Sequence, residues 1–104
     1  MGKTPEKFVS PEPPPTALKA EILTILIEEA AEVQQRATKM LRFGVDEVQP
    51  GQELSNKDRL SDEVGDLHEM IVYARSLGLI DGSRVIAAGQ RKQAKLEKYL
   101  QNAS

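Results

Sequence analysis

Five acids at two short spacings are the residues of this chain best suited to chemistry. The stretch "ILIEEAAEVQQ" at 25–35 carries Glu28, Glu29 and Glu32, and "EVGD" at 63–66 carries Glu63 and Asp66. Residues three apart share one face of a helix. With Glu29 at zero on a wheel of about 100° per residue, Leu18, Ile22, Ile25, Leu26, Val33 and Met40 all fall within about 60° of it. Glu29 is therefore expected to point into the core, with Glu32 at the edge of the apolar stripe and Glu28 farther round on the same flank. With Glu63 at zero, Leu60, Leu67, Met70 and Ala74 fall within about 60°, and Asp66 takes the edge. A charged carboxylate in an apolar core is unfavourable unless something pairs with it, and four such groups also repel one another. A hard divalent ion relieves all four, because Mg²⁺ prefers oxygen ligands. The expected centre is Mg²⁺ held by Glu29, Glu32, Glu63 and Asp66, with Mn²⁺ as the alternative ion.

Plainer readings compete with this one. Glu32 and Arg36 are spaced as an ordinary surface ion pair, and Glu28 suits either a solvated flank or a position beside the metal. His68 is the only histidine. It lies about 140° from Glu63 on the wheel, away from the acids, and it is not expected to be a ligand. The chain also lacks the two Glu-x-x-His pairs of a ferritin-like di-iron centre.

The elements that would position these acids can be read from the same pattern. A chain of 104 residues is one domain with a single modest core. Residues 1–15 hold five of the six prolines and are expected to form an extended or mobile arm; the domain proper is 16–104. Thr16 is a candidate N-cap for a first helix that runs to about Leu41, where "RFG" supplies a glycine stop. Residues 44–56 have no sustained period and predict a loop long enough to act as a lid. Ser55 with Asp58 resembles a capping box for a second helix over about 60–77. A third helix starts near Ser83 and carries Val85, Ile86, Leu96, Tyr99 and Leu100 among many cations. No strand pattern appears, so the fold class is all-α, a helical bundle of three main helices per chain.

Composition narrows the functions further. The net charge of −2 with scattered cations gives no electrostatic footprint for nucleic acid. The absence of cysteine removes disulfide frameworks and thiolate metal sites and fits a reducing compartment, the cytoplasm. No apolar run approaches the roughly 20 residues that span a bilayer, so no membrane partner is expected. The first helix carries a second apolar strip, Leu23, Ile27, Ala30 and Leu41, well round from the Glu29 face. Three helices in one chain do not easily cover both faces, which points to a homo-oligomer.

"EEAAE" followed by "EVGD" resembles the EExxE and ExxD motifs of the MazG-type, all-α nucleoside triphosphate pyrophosphohydrolases. The likeness covers residues 17–101, and "TKMLRFG" and "RKQAKLEKYL" are similar to stretches of small members of that superfamily. Thirty residues separate Glu32 from Glu63, at the long end of the family's interval, and the extra length falls in the loop. The resemblance implies a bundle completed by oligomerisation, as a homodimer or a dimer-of-dimers tetramer. It implies Mg²⁺ ligation by Glu29, Glu32, Glu63 and Asp66, and hydrolysis of an NTP or dNTP to the monophosphate and pyrophosphate by water attack at the α-phosphorus. Glu28 and Glu32 are then the candidate general bases. Arg36, Lys39, Lys92 and Lys95 are candidates for the triphosphate, against the plainer reading that lysines snorkel to solvent. Phe43, Tyr73 and Tyr99 are the candidate stacking partners for a base. Two alternatives stand beside this function: a phosphoribosyl-ATP pyrophosphohydrolase, and a non-enzymatic helical assembly module whose acids pair with Arg36, Lys92 or Lys95.

Overall fold

The computed structural model describes residues 12–102, and the prolines of 1–11 lie outside them; 12–15 have no regular secondary structure. Three helices follow, α1 (Ala17–Phe43), α2 (Asn56–Ser76) and α3 (Gly82–Tyr99), with no strand among the described residues. The all-helical class and the three-helix order are those expected from the periodicity. None of the three is long and apolar enough to cross a membrane.

Local chemistry sets the helix boundaries. The Thr16 side chain accepts from the Lys19 amide, and Ser55 accepts from the Asp58 amide. Each satisfies an amide that a helix start leaves without an intrahelical partner. At the other end of α1, Gly44 takes φ 106°, a conformation that glycine adopts without a Cβ clash, and its amide closes back on the Met40 carbonyl. The third helix opens at Gly82, next to the expected start, and is capped by Asp81, whose Oδ1 accepts from the Ser83 amide, the Ser83 hydroxyl and the Arg84 amide. These bonds hold the Asp81 carboxyl below the ordinary aspartate range, the Ser83 hydroxyl contributing most, while partial burial opposes them.

The loop between α1 and α2 is pinned at its base. Asn56 is 2% exposed; its Nδ2 donates to the Gly44 carbonyl at 2.9 Å and to Glu47 Oε1 at 3.2 Å. The Asn56 amide donates to the Glu47 carbonyl and the Lys57 amide to the Val45 carbonyl, while Gln49 Nε2 also donates to Glu47 Oε1. The start of α2 is thereby tied to the end of α1, and the two helices run antiparallel.

The core is thin. α1 packs on α2, while α3 makes no comparable contact with either; Gly82 and Ala87 are the only residues of α3 that are not exposed. Ile22 and Ala74 are the only apolar side chains that are buried among the described residues. The second apolar strip stays open, with Ile27 69% and Leu41 87% exposed. The radius of gyration is 19.5 Å, against about 13 Å for a compact domain of this length.

Candidate metal centre

Antiparallel pairing of α1 and α2 turns the two acid faces toward each other. Glu29, Glu63 and Asp66 each place a carboxylate oxygen within 4.8 Å of the others; Glu29 and Glu63 are half-buried and Asp66 is exposed. Glu32 is exposed and outside this trio, although its charge still reaches Glu29. Glu28 is also exposed.

The trio is electrostatically uncomfortable. Glu29 Oε2 is sealed from solvent and has no hydrogen-bond partner. Burial pushes the Glu29 pKa upward; the charges of Asp66 and Glu63, the close approach of the Glu63 carboxyl and the charge of Glu32 push it the same way. Each of these disfavours the ionised carboxylate, and a cation among the three oxygens would oppose them with a direct attraction. The donor set is entirely carboxylate oxygen, which suits a hard cation such as Mg²⁺ and offers nothing to a soft one.

The cations are distributed unevenly. Arg36 lies seven residues beyond Glu29, a rise of about 10 Å along α1 and about 20° from it on the wheel. Its side chain is half-buried, and its Nε is sealed without an acceptor. Lys39 is about 15 Å from Glu29 along α1, with its ammonium 5.8 Å from the Phe43 ring centroid; Arg42 lies over the same ring at 5.0 Å. Phe43 itself is about 21 Å from Glu29, so it serves the far end of the hairpin. Lys92 and Lys95 are exposed on α3, which does not pack on the acid pair within one chain. Tyr73 is 44% and Tyr99 67% exposed, the latter with Lys98 5.5 Å from its ring. His68 is exposed.

Asn56 is the positioning residue that the sequence pattern did not single out. It follows a good N-cap and looks like any polar first-turn residue; its burial comes from Gly44 and Glu47, across the loop. A separate cavity of about 540 Å³ lies between Pro13, Pro14 and Pro15 and the Gly78–Leu79 turn. It includes none of the acids or candidate cations, so it is not the expected substrate site. Comparison with protein-family models, with curated proteins and with solved structures returns no match to this chain.

Proposed function

We propose that the chain is a Mg²⁺-dependent pyrophosphohydrolase that cleaves an NTP or dNTP to the monophosphate and pyrophosphate. The observation that carries this reading is the convergence of Glu29, Glu63 and Asp66 from two helices around a Glu29 oxygen that is buried and unpartnered. These three, with Glu32 from the adjacent turn, would hold the ion. A Mg²⁺ held by these residues would supply charge neutralisation at phosphate oxygens and a lowered pKa for a nearby water. Glu32 or Glu28, both solvent-accessible, accepts the proton of the attacking water. Arg36, half-buried on the Glu29 side of α1, is a candidate to meet a phosphate oxygen of the leaving pyrophosphate through the rest of its guanidinium. Lys39, Lys92 and Lys95 are further candidates for the triphosphate. The two lysines of α3 reach the acids only if another copy supplies them, consistent with a homodimer or a dimer of dimers.

The assembly-module reading requires the core-facing acids to be satisfied by Arg36, Lys92 or Lys95. Glu29 Oε2 and Arg36 Nε each lack a partner, which counts against the ion pair that reading needs.

The test is pyrophosphate release with Mg²⁺ across the standard and common modified NTPs and dNTPs, with phosphoribosyl-ATP in the same panel and a metal-free control. Metal-dependent release that Glu63→Gln abolishes, with helicity retained, is the expected result. Release unchanged in Glu63→Gln would remove these acids from the reaction. Silence across the panel, together with no Mg²⁺-induced thermal shift, would return them to a structural role.

A further inference from the structure

Few cations of this chain fold against the protein instead of reaching into water. Among the described residues Lys19, Arg36, Lys39 and Arg59 are half-buried, and every other lysine and arginine is exposed. Arg36, Lys39 and Arg59 lie on the hairpin between the acids and the α1–α2 loop. With Glu29 at zero, Arg36 and Lys39 stand at about −20° and −80° on α1; with Glu63 at zero, Arg59 stands at about −40° on α2. When two antiparallel helices face each other, the same sense of rotation on each leads to the same side of the pair. The three cations therefore share one flank, and Glu32 and Asp66, each at about −60°, share it with them.

Arg59 is the nearest of the three to the acids, and the sequence pattern did not single it out. It lies one turn before Glu63, a rise of about 6 Å, and within about 20° of Asp66 on the wheel, whereas Arg36 and Lys39 are about 10 and 15 Å beyond Glu29. Folding gives little reason for a cation there. Arg59 belongs to the first turn of α2, the end at which the helix dipole favours acids, and a cation four residues before an acid is the weaker order for a helical ion pair. The turn is held by other bonds, from the Arg59 amide to the Ser55 carbonyl and from the Ser61 hydroxyl to the Lys57 carbonyl. The charges that act on Glu29 are all acidic, so neither Arg59 nor Arg36 relieves it. A stem lying along apolar surface with its head in water accounts for the burial of Arg59 but not for its place beside the acids.

We propose that Arg59 binds the β- and γ-phosphates of the nucleotide and then holds the leaving pyrophosphate. This rests on the hydrolysis read from the acids and adds a direction to it. A triphosphate whose α-phosphorus lies at Glu29, Glu63 and Asp66 runs its tail along this flank toward the loop, past Arg59 and on toward Arg36 and Lys39, and its nucleoside points to the opposite end of the hairpin. The planar guanidinium suits two phosphate oxygens at once. The carboxylates around the site repel an anion, so the placing of the half-buried cations decides which end of the substrate lies on the loop side.

The experiment is calorimetric titration of the full chain in Mg²⁺ with inorganic pyrophosphate and, separately, with the monophosphate of a nucleotide that the wild type hydrolyses. Arg59→Gln is expected to weaken pyrophosphate binding about ten- to a hundredfold, the worth of one hydrogen bond between charged groups, and to raise KM for the triphosphate. Its monophosphate affinity, helical circular dichroism and Mg²⁺-induced thermal shift are expected to stay at wild-type values. Arg59→Lys, which keeps the charge without the fork, is expected to fall between the two and carries the same comparison if the glutamine variant does not fold. Unchanged pyrophosphate affinity in a chain that still hydrolyses nucleotides would overturn the role of Arg59 and leave the hydrolase standing. Equal loss of both ligands would overturn it too, since a residue that only supports the fold does not choose between them. A wild type that releases pyrophosphate from no nucleotide would refute the hydrolase itself, and the role of Arg59 with it.

Discussion

Replacement of Asn56 by alanine tests how the hairpin is held. The side chain is 2% exposed and donates once to a backbone carbonyl and once to the Glu47 carboxylate. A neutral hydrogen bond contributes about 1 kcal/mol net and one to a charged acceptor about 1.5–3 kcal/mol. Glu47 keeps its second donor, Gln49, and is only half-buried, which moderates the loss. The expected cost is about 2–4 kcal/mol, a large part of the stability of a small domain. For a domain of this size that corresponds to a fall in Tm on the order of 10–25 °C. The measurement is urea unfolding at 25 °C followed by far-UV circular dichroism, at matched protein concentration. Asn56→Asp, which keeps the shape but sets a second carboxylate against Glu47, is expected to be at least as destabilising at neutral pH and to recover in acid. A loss below about 0.5 kcal/mol in Asn56→Ala, within the range of ordinary surface substitutions, would refute the idea that this residue ties α2 to α1.

Three other outcomes are expected. Glu29→Gln is predicted to raise the Tm of the metal-free protein at neutral pH. The folded chain binds the Glu29 proton more tightly than the unfolded chain, so this group's contribution to stability is complete below its unfolded pKa and is lost as pH rises through the raised folded value. The advantage of the glutamine variant is therefore largest at neutral pH and shrinks as pH falls, which paired melts across a pH series will show; an equal Tm at neutral pH would contradict it. Ile22→Ala, at one of two buried apolar positions among the described residues, is expected to destabilise by about 2–5 kcal/mol, read by the same urea titration. Asp81→Ala removes the acceptor shared by two amides and the Ser83 hydroxyl and should lower helical content through α3 while leaving the α1–α2 unfolding transition in place. In the wild type the lowered Asp81 pKa makes this cap's contribution complete above the unfolded pKa and lost as pH falls through the folded one.

Much of the hairpin was legible because its determinants are local. Apolar spacing, the Thr16 and Ser55 caps and the Gly44 stop each act within one or two turns, and they place α1 and α2 close to their observed ends. The wheel also set Glu29 and Glu63 on the apolar stripes with Glu32 and Asp66 at their edges; the structure brings Glu29, Glu63 and Asp66 together and leaves Glu32 outside. Other features depend on contacts between elements. Periodicity gives α3 a face but not a surface to rest it on, so Lys92 and Lys95 could be oriented but not delivered to the acids. The start of α3 near Ser83 was legible too, since the helix opens at Gly82, although its cap, Asp81, was not named from the pattern. Asn56 was invisible because its burial is produced by Gly44 and Glu47, twelve and nine residues away.

The isolation of α3 from the rest of its chain also governs how the molecule acquires structure. Helices of about this length are marginal in water when nothing packs on them, whereas the hairpin rests on contacts close in sequence, a topology that folds quickly. Folding is thus expected to separate into a fast first-order step that forms α1 and α2 and a later consolidation of α3 whose rate rises with protein concentration. At high dilution the chain would keep its hairpin while the last helix frays.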